Sequence, residues 1–210
     1  MAFGAGKQIE AHLDLFIRHF RSISDCTIVN RTINVRSDCL KETIKARFDH
    51  VKLHVISSEK DNRQMMEDAV RSADVIICAT SSTVPLFSSS WVRTGAHVIL
   101  IGSFTPAMRE VERELVIRAV SSPGCLLVDL RKACLEEAGE IIEAGVEGDQ
   151  MTEIGELVLK DKDRLELRDG IEGPITMFKS VGVGLQDVAM AVTVVERALG
   201  SHGTVIEEYD

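Results

Sequence analysis

Three apolar runs constrain the fold of this chain most: DVIICAT at 74–80, AHVILIGS at 96–103 and CLLVDL at 125–130. None of them alternates, and a strand with one wet face would, so these strands are covered on both faces. Between and before them the period changes. Ile9, Leu13, Phe16, Ile17 and Phe20 recur at helical spacing over residues 7–21. CTIVNR at 26–31 and VKLHVIS at 51–57 then read as strands, and 37–48, 62–72 and 112–120 as helices, the first of these with a Ser or Asp cap. Strands that alternate with helices in this way build parallel βαβ units with right-handed crossovers. The predicted fold class is therefore α/β, a Rossmann-like doubly wound parallel sheet.

Beyond Leu130 the pattern predicts helices over 132–145 and 150–159, a polar loop KDKDRLELRDGIEGP at 160–174, and a last helix over 181–199. That last helix is apolar nearly all round and calls for a partner surface. We divide the chain into a nucleotide-binding domain, 1–174, and a C-terminal segment, 175–210, with the long apolar helix and a short polar tail.

Charge and composition exclude several functions. With 24 Lys+Arg against 33 Asp+Glu, the net charge of -9 opposes attraction to nucleic-acid phosphates and to anionic lipid. Aromatic residues make up only 4% and lie in no basic tract, so no base-stacking platform is expected. No apolar run approaches a membrane span, and the opening MAFGAGKQ lacks the layout of a secretory signal. A cytoplasmic protein without nucleic-acid or membrane partners is expected. Cys26, Cys39, Cys78, Cys125 and Cys134 are scattered and read as reduced, buried thiols. The histidines lack metal-ligand spacing, so no metal is expected, and His12 and His19 sit on a helix whose work is packing. Glu136, Glu137 and Glu140 read as a solvated helix face, and Lys179 as an exposed side chain.

The opening glycines carry the first functional signal. Gly4 and Gly6 fit the first two positions of G-x-G-x-x-G, where absent side chains permit a tight turn and let backbone approach a pyrophosphate. The third position is Ile9 rather than Gly or Ala, and only Met1, Ala2 and Phe3 remain for the preceding strand, which reads as truncated. An ordinary tight turn explains the glycines equally well. At the end of the next strand, however, the carboxylate that would bind a ribose 2′-hydroxyl is missing, and Asn30, Arg31 and Thr32 stand there instead. An arginine flanked by small polar residues can hold a 2′-phosphate, each hydrogen bond to a charged group being worth about 1.5–3 kcal/mol. A bound dinucleotide would then be NADP(H) in preference to NAD(H). Thr80, Ser81, Gly102 and Ser103 follow two of the apolar runs, at the carboxyl strand ends where ligands sit in such sheets. Plain turn and capping chemistry accounts for them as well.

The blocks GAGKQ, VNRT, ADVIICATSSTVP, WVRTGAHV, IGSFTPAMREV, EEAGEII and ITMFKSVGVGLQD resemble, in order and spacing, the ornithine cyclodeaminase/mu-crystallin family from Gly4 to Gly200. The NRT triplet is most similar to the NADPH-binding branch, itself similar to ketimine reductases. The resemblance implies a pyrophosphate site at Gly4, Ala5, Gly6, Lys7 and Gln8 and a 2′-phosphate site at Asn30, Arg31 and Thr32. It puts Thr80 and Ser81 against the adenosine side or adjoining ribose, and Gly102 and Ser180 toward the nicotinamide end. It also implies an oxidoreductase acting on the C=N bond of a small imine, or on an amino acid. The family's cyclodeaminases carry a catalytic Asp two residues before the proline of the GxxxP block, and here that position is Phe104, which cannot act as acid or base. The catalytic residue is left unassigned. Family members are longer at the amino end, where a substrate and dimerisation domain covers the last helix. By that comparison the chain is a fragment, inactive alone, with the question of a homodimer left open; the alternative is a crystallin-like protein that binds NADP(H) without turnover.

Overall fold

The computed structural model describes residues 1–59, 62–121, 125–159 and 175–199. Each apolar run supplies a strand, and the first two are buried on both sides. In β4 (Val75–Cys78) and β5 (His97–Leu100), the residues Ile76, Ile77, Cys78, Val98, Ile99 and Leu100 are at most 4% exposed. The remaining strands are β1 (Ala2–Phe3), β2 (Asp25–Asn30), β3 (Lys52–Ser57), β6 (Leu126–Val128), β7 (Thr152–Glu153) and β8 (Thr176–Lys179). All pairings are parallel, in the order β3-β2-β1-β4-β5-β8-β6-β7. The α-helices are α1 (Lys7–His19), α2 (Val35–Arg47), α3 (Arg63–Ser72), α4 (Arg113–Val120), α5 (Arg131–Glu137), α6 (Gly139–Ala144), α7 (Ile154–Leu159) and α8 (Gly184–Ala198), with short 3-10 turns at Ser89–Trp91 and Gly148–Gln150. Successive strand residues face opposite ways, so two core layers form. Phe3, Val29, Ile76 and Leu100 pack with Leu115 of α4 on one face, and Ala2, Ile28, Ile77 and Ile99 pack with Ile9 of α1 on the other. The sheet is the Rossmann-like doubly wound α/β sheet that the sequence pattern predicts.

The short first strand sits mid-sheet with both edges paired. Ala2 lies opposite Ile28 and Ile77, and Phe3 opposite Val29 and Cys78. Flanking residues lengthen the ladder: Gly4 N donates to Val29 O at 2.8 Å, and Ala79 N to Phe3 O at 3.1 Å.

Several elements differ from the sequence reading. Helix α2 begins at Val35, ahead of the expected 37, because Asn34 is the cap: its Oδ1 accepts from Arg36 N and Ser37 N, and Ser37 Oγ accepts from Asn34 N at 2.9 Å. The helix expected over 132–145 is broken at Ala138. The backbone of Gly139 presses against the 106–108 loop so closely that a Cβ there would lie 1.9 Å from Met108 O. The stretch 150–159 holds a strand, β7, before its helix. Strand β8 was not anticipated; it fits between β5 and β6, so the 175–210 segment enters the sheet before leaving it as α8. The 160–174 loop and the polar tail after 199 lie outside the described residues.

Helix α8 has no buried residue, and Leu185, Val188, Met190, Val192, Val194 and Val195 are all at least 50% exposed. The burial expected of this helix is therefore not supplied by any described element. Cys26, Cys78, Cys125 and Cys134 are buried free thiols, whereas Cys39 is exposed. No helix among the described residues is long and apolar enough to cross a membrane.

Candidate functional site

From β1 the chain winds outward to β2 and β3, then crosses back to β4 and β5 on the other side. Loops leaving the carboxyl ends of β1 and β4 therefore part, and an open α/β sheet has its crevice at such a point. Two adjoining clefts open there, of about 970 Å³ and about 770 Å³, and Ala79, Thr80 and Ser81 line both. Gly4, Ala5, Gly6, Asn30, Arg31 and Thr32 line the first; Gln8, Gly102, Phe104 and Ser180 line the second. Lys7 lines neither. Its side chain is 94% exposed and pairs with Glu10 at 2.7 Å, in a separate, smaller pocket.

Gly4 has φ +109°, a conformation side chains resist, and a Cβ would approach Ala79 O to 2.8 Å. Gly6 is the N-cap of α1 and makes no side-chain capping bond, while a Cβ built on it would meet nothing within 4 Å. The glycine turn thus leaves an empty cradle in front of uncapped N–H groups at the positive end of a 13-residue helix.

Across the first cleft, Asn30 Nδ2 donates to Thr32 O at 3.0 Å, which folds the turn after β2. Ser58 N donates to Asn30 O at 2.9 Å and anchors that turn to the end of β3. Arg31 is exposed on the lip, with no hydrogen bond or ion pair to another described residue. The first cleft is lined by two arginines, Arg31 and Arg36, and by no carboxylate among the described residues. Sequence reasoning missed Arg36; the capping box at Asn34 turns the first residues of α2 toward the cleft, and that cap was not recognised.

The floor of the second cleft rests on buried charge. Glu110, fully buried, accepts from Thr80 N at 2.6 Å and Thr80 Oγ1 at 2.9 Å through one oxygen, and from Gly102 N at 2.7 Å through the other. Burial pushes its carboxyl above the usual range, and the Thr80 and Gly102 N–H groups oppose that shift. Lys179 is not exposed as expected but 0% accessible, donating to Ser103 O at 2.5 Å and standing 3.0 Å from Glu140 Oε1. Glu140, expected on a solvated face, is likewise fully buried, because the break at Ala138 turns α6 inward. Neither Glu140 oxygen receives an aligned hydrogen bond among the described residues, so its contact with Lys179 is a charge pair rather than a directed bond.

Ser180 is also engaged. Its hydroxyl donates to Asp129 Oδ2 at 2.7 Å, the same oxygen that accepts from Val181 N and Gly182 N, and this ties down the turn between β8 and α8. His12, expected to be a packing residue, lines the second cleft, where its Nδ1 donates to Gln8 O at 2.7 Å. Phe104 stands half exposed at the same cleft. Glu110 and Asp129 carry no periodic or spacing signal, and the spacing of Glu140 points to a solvated face, because the partners of all three come from distant parts of the chain.

The ketimine reductase mu-crystallin of Rattus norvegicus is 33% identical to this chain over 188 residues, which cover 90% of the chain and 51% of that protein. A Delta(1)-pyrroline-2-carboxylate reductase of Bacillus cereus is 34% identical over 137 residues, covering 63% of the chain and 39% of that protein. Among solved structures, the Thermococcus litoralis Delta(1)-pyrroline-2-carboxylate reductase in complex with NADH and L-proline superimposes with a TM-score of 0.78 at 25% identity, over 98% of this chain and 59% of that one. The chain spans about half the length of the curated relatives it matches. The model of the ornithine cyclodeaminase/mu-crystallin family matches residues 1–202, the span that holds the glycine turn and both clefts, and the chain belongs to that family.

Proposed function

We propose that the chain is the NADP(H)-binding domain of an imine reductase or amino-acid dehydrogenase of this family. One observation carries the reading: an Arg31 guanidinium that pairs with no other described residue, on the lip of a cleft that has a second arginine, no described carboxylate, and an uncapped helix N-terminus at its far wall. The empty cradle in front of Gly6 fits a pyrophosphate, and Asn30, Arg31 and Thr32 fit a 2′-phosphate that a carboxylate would repel. Thr80 and Ser81, common to both clefts, would bridge the two halves of the dinucleotide, with Gly102 and Ser180 toward its nicotinamide. Bound NADPH supplies a hydride for the carbon of a C=N bond. The relatives named for ketimine and pyrroline-carboxylate reduction support a small imine or amino-acid substrate. Phe104 offers neither acid nor base, so ornithine cyclisation is not part of the proposal.

Fluorescence titration tests the reading. NADPH binds below millimolar concentration, and Arg31→Ala weakens NADPH by about 10- to 100-fold, the worth of one charge-assisted contact, while NADH changes by less than about twofold. Equal losses for both cofactors reject the 2′-phosphate assignment, and absence of NADPH binding rejects the reading as a whole.

The apolar Phe104 at the second cleft also favours a second reading, a protein that holds NADP(H) without turnover. Cofactor oxidation in the presence of cyclic imines separates the two.

A further inference from the structure

The geometry points to Glu110 as the positioning residue of the second cleft, the group that sets the shape of the surface on which a nicotinamide ribose would lie. This rests on the NADP(H) reading above. Glu110 lines neither cleft and touches no ligand position; it acts through Thr80 and Gly102, which do.

The ladder between β4 and β5 ends with Ile101 N donating to Cys78 O at 2.9 Å. One step further, Thr80 N and Gly102 N are both donors, and two donors cannot pair with each other. The Glu110 carboxylate bridges them, one oxygen to each, and takes the Thr80 hydroxyl as well. Only an acceptor with two oxygens satisfies this arrangement; a glutamine would turn an NH₂ toward one of the N–H groups. The packing is close enough that a Cβ on Gly102 would lie 1.9 Å from Thr80 O and 2.5 Å from Glu110 Oε1, so the strand ends have no slack of their own. The main chain of the same loop pins the other side of the ridge. Leu86 N donates to Glu110 O, and Arg109 N to Ser82 O, each at 2.9 Å. One short stretch, 109–110, thus holds the end of β4, the end of β5 and the loop that follows β4.

The experiment compares NADPH with 2′,5′-ADP, which carries the adenosine and its 2′-phosphate but no nicotinamide ribose. In Glu110→Gln, NADPH binding falls by roughly 10-fold, while 2′,5′-ADP, which can meet Thr80 but has no group at Gly102, falls by no more than about threefold. A general loss of structure would weaken both probes alike. Equal weakening of both, or no change in NADPH, overturns the inference. Glu110→Asp keeps the charge and both oxygens but sets them back by one methylene; if the glutamine variant does not fold, it gives a smaller loss, again greater for NADPH than for 2′,5′-ADP, and an unchanged NADPH affinity again overturns the inference. A wild-type chain that binds 2′,5′-ADP but gains nothing from the nicotinamide half overturns the inference and leaves the first-cleft assignment standing. A chain that binds neither probe removes the NADP(H) reading itself.

Discussion

Lys179 shows how far a single residue can depart from its local pattern. A lysine at the entry of a helix reads as exposed, yet strand alternation in β8 points Met177 and Lys179 inward, where both are 0% exposed. A buried ammonium is tolerated only if its charge is met, and Glu140 and the Ser103 carbonyl meet it. Lys179→Met should therefore destabilise the chain by about 3–5 kcal/mol, since it leaves the Glu140 carboxylate buried without its cation. Adding Glu140→Leu should recover much of that loss, because an apolar pair of similar volume strands no charge. Urea denaturation of the two variants checks this; a double variant no more stable than the single would show that the pair does not couple. The place of Arg31 on the first cleft is legible because it is local, set by the end of β2 alone. Lys179 and Glu140 are not legible, because each acquires its meaning from the other, far along the chain, once the break at Ala138 turns Glu140 inward.

Elements differ in the same way. Helix α1 and the central strands carry their burial in their own period, and residues Ile9, Leu13 and Ile17 are buried as their spacing predicts. Strand β8 is not legible because it is only four residues long and ends in a lysine, so it forms no apolar run, although it lies between β5 and β6. Helix α8 is the opposite case, an apolar pattern without burial: Leu185, Val188 and Met190 stand in the open. Val188→Thr and Met190→Gln should then shift the stability of this chain by no more than about 0.5 kcal/mol, as exposed substitutions do. Ile141→Ala in α6, at a residue with 0% exposure, should cost about 2–5 kcal/mol. Chemical denaturation of the three variants decides it. A loss above about 1 kcal/mol at Val188 or Met190 would mean that α8 packs against something in solution.

At the scale of the whole molecule, the parallel sheet and its crevice follow from the apolar runs, because βαβ winding leaves few ways to connect them. The clefts lie at the carboxyl ends of the strands, and the opposite end holds a different kind of group. His97, at the start of β5, has Nδ1 2.8 Å from Thr176 Oγ1 and so links β5 to β8. Burial lowers its proton affinity below the ordinary value of 6.5. Between 6.5 and its folded value the unfolded chain binds the proton that the folded chain refuses, so stability rises with pH across that window. His97 therefore contributes fully above about pH 6.5, and its contribution drains away as the pH falls through the window toward the folded value. Glu110 works against this trend: its raised carboxyl takes up a proton in the folded chain at a pH where the unfolded chain does not, which favours the fold as the solution acidifies. The two effects have opposite sign, so a wild-type curve alone does not separate them. The difference between wild type and His97→Gln isolates the histidine. Urea midpoints measured from about pH 8 down to about pH 5 should show the advantage of the wild-type chain shrinking below about pH 6.5, and curves that stay parallel would mean that His97 titrates alike in the folded and unfolded chain.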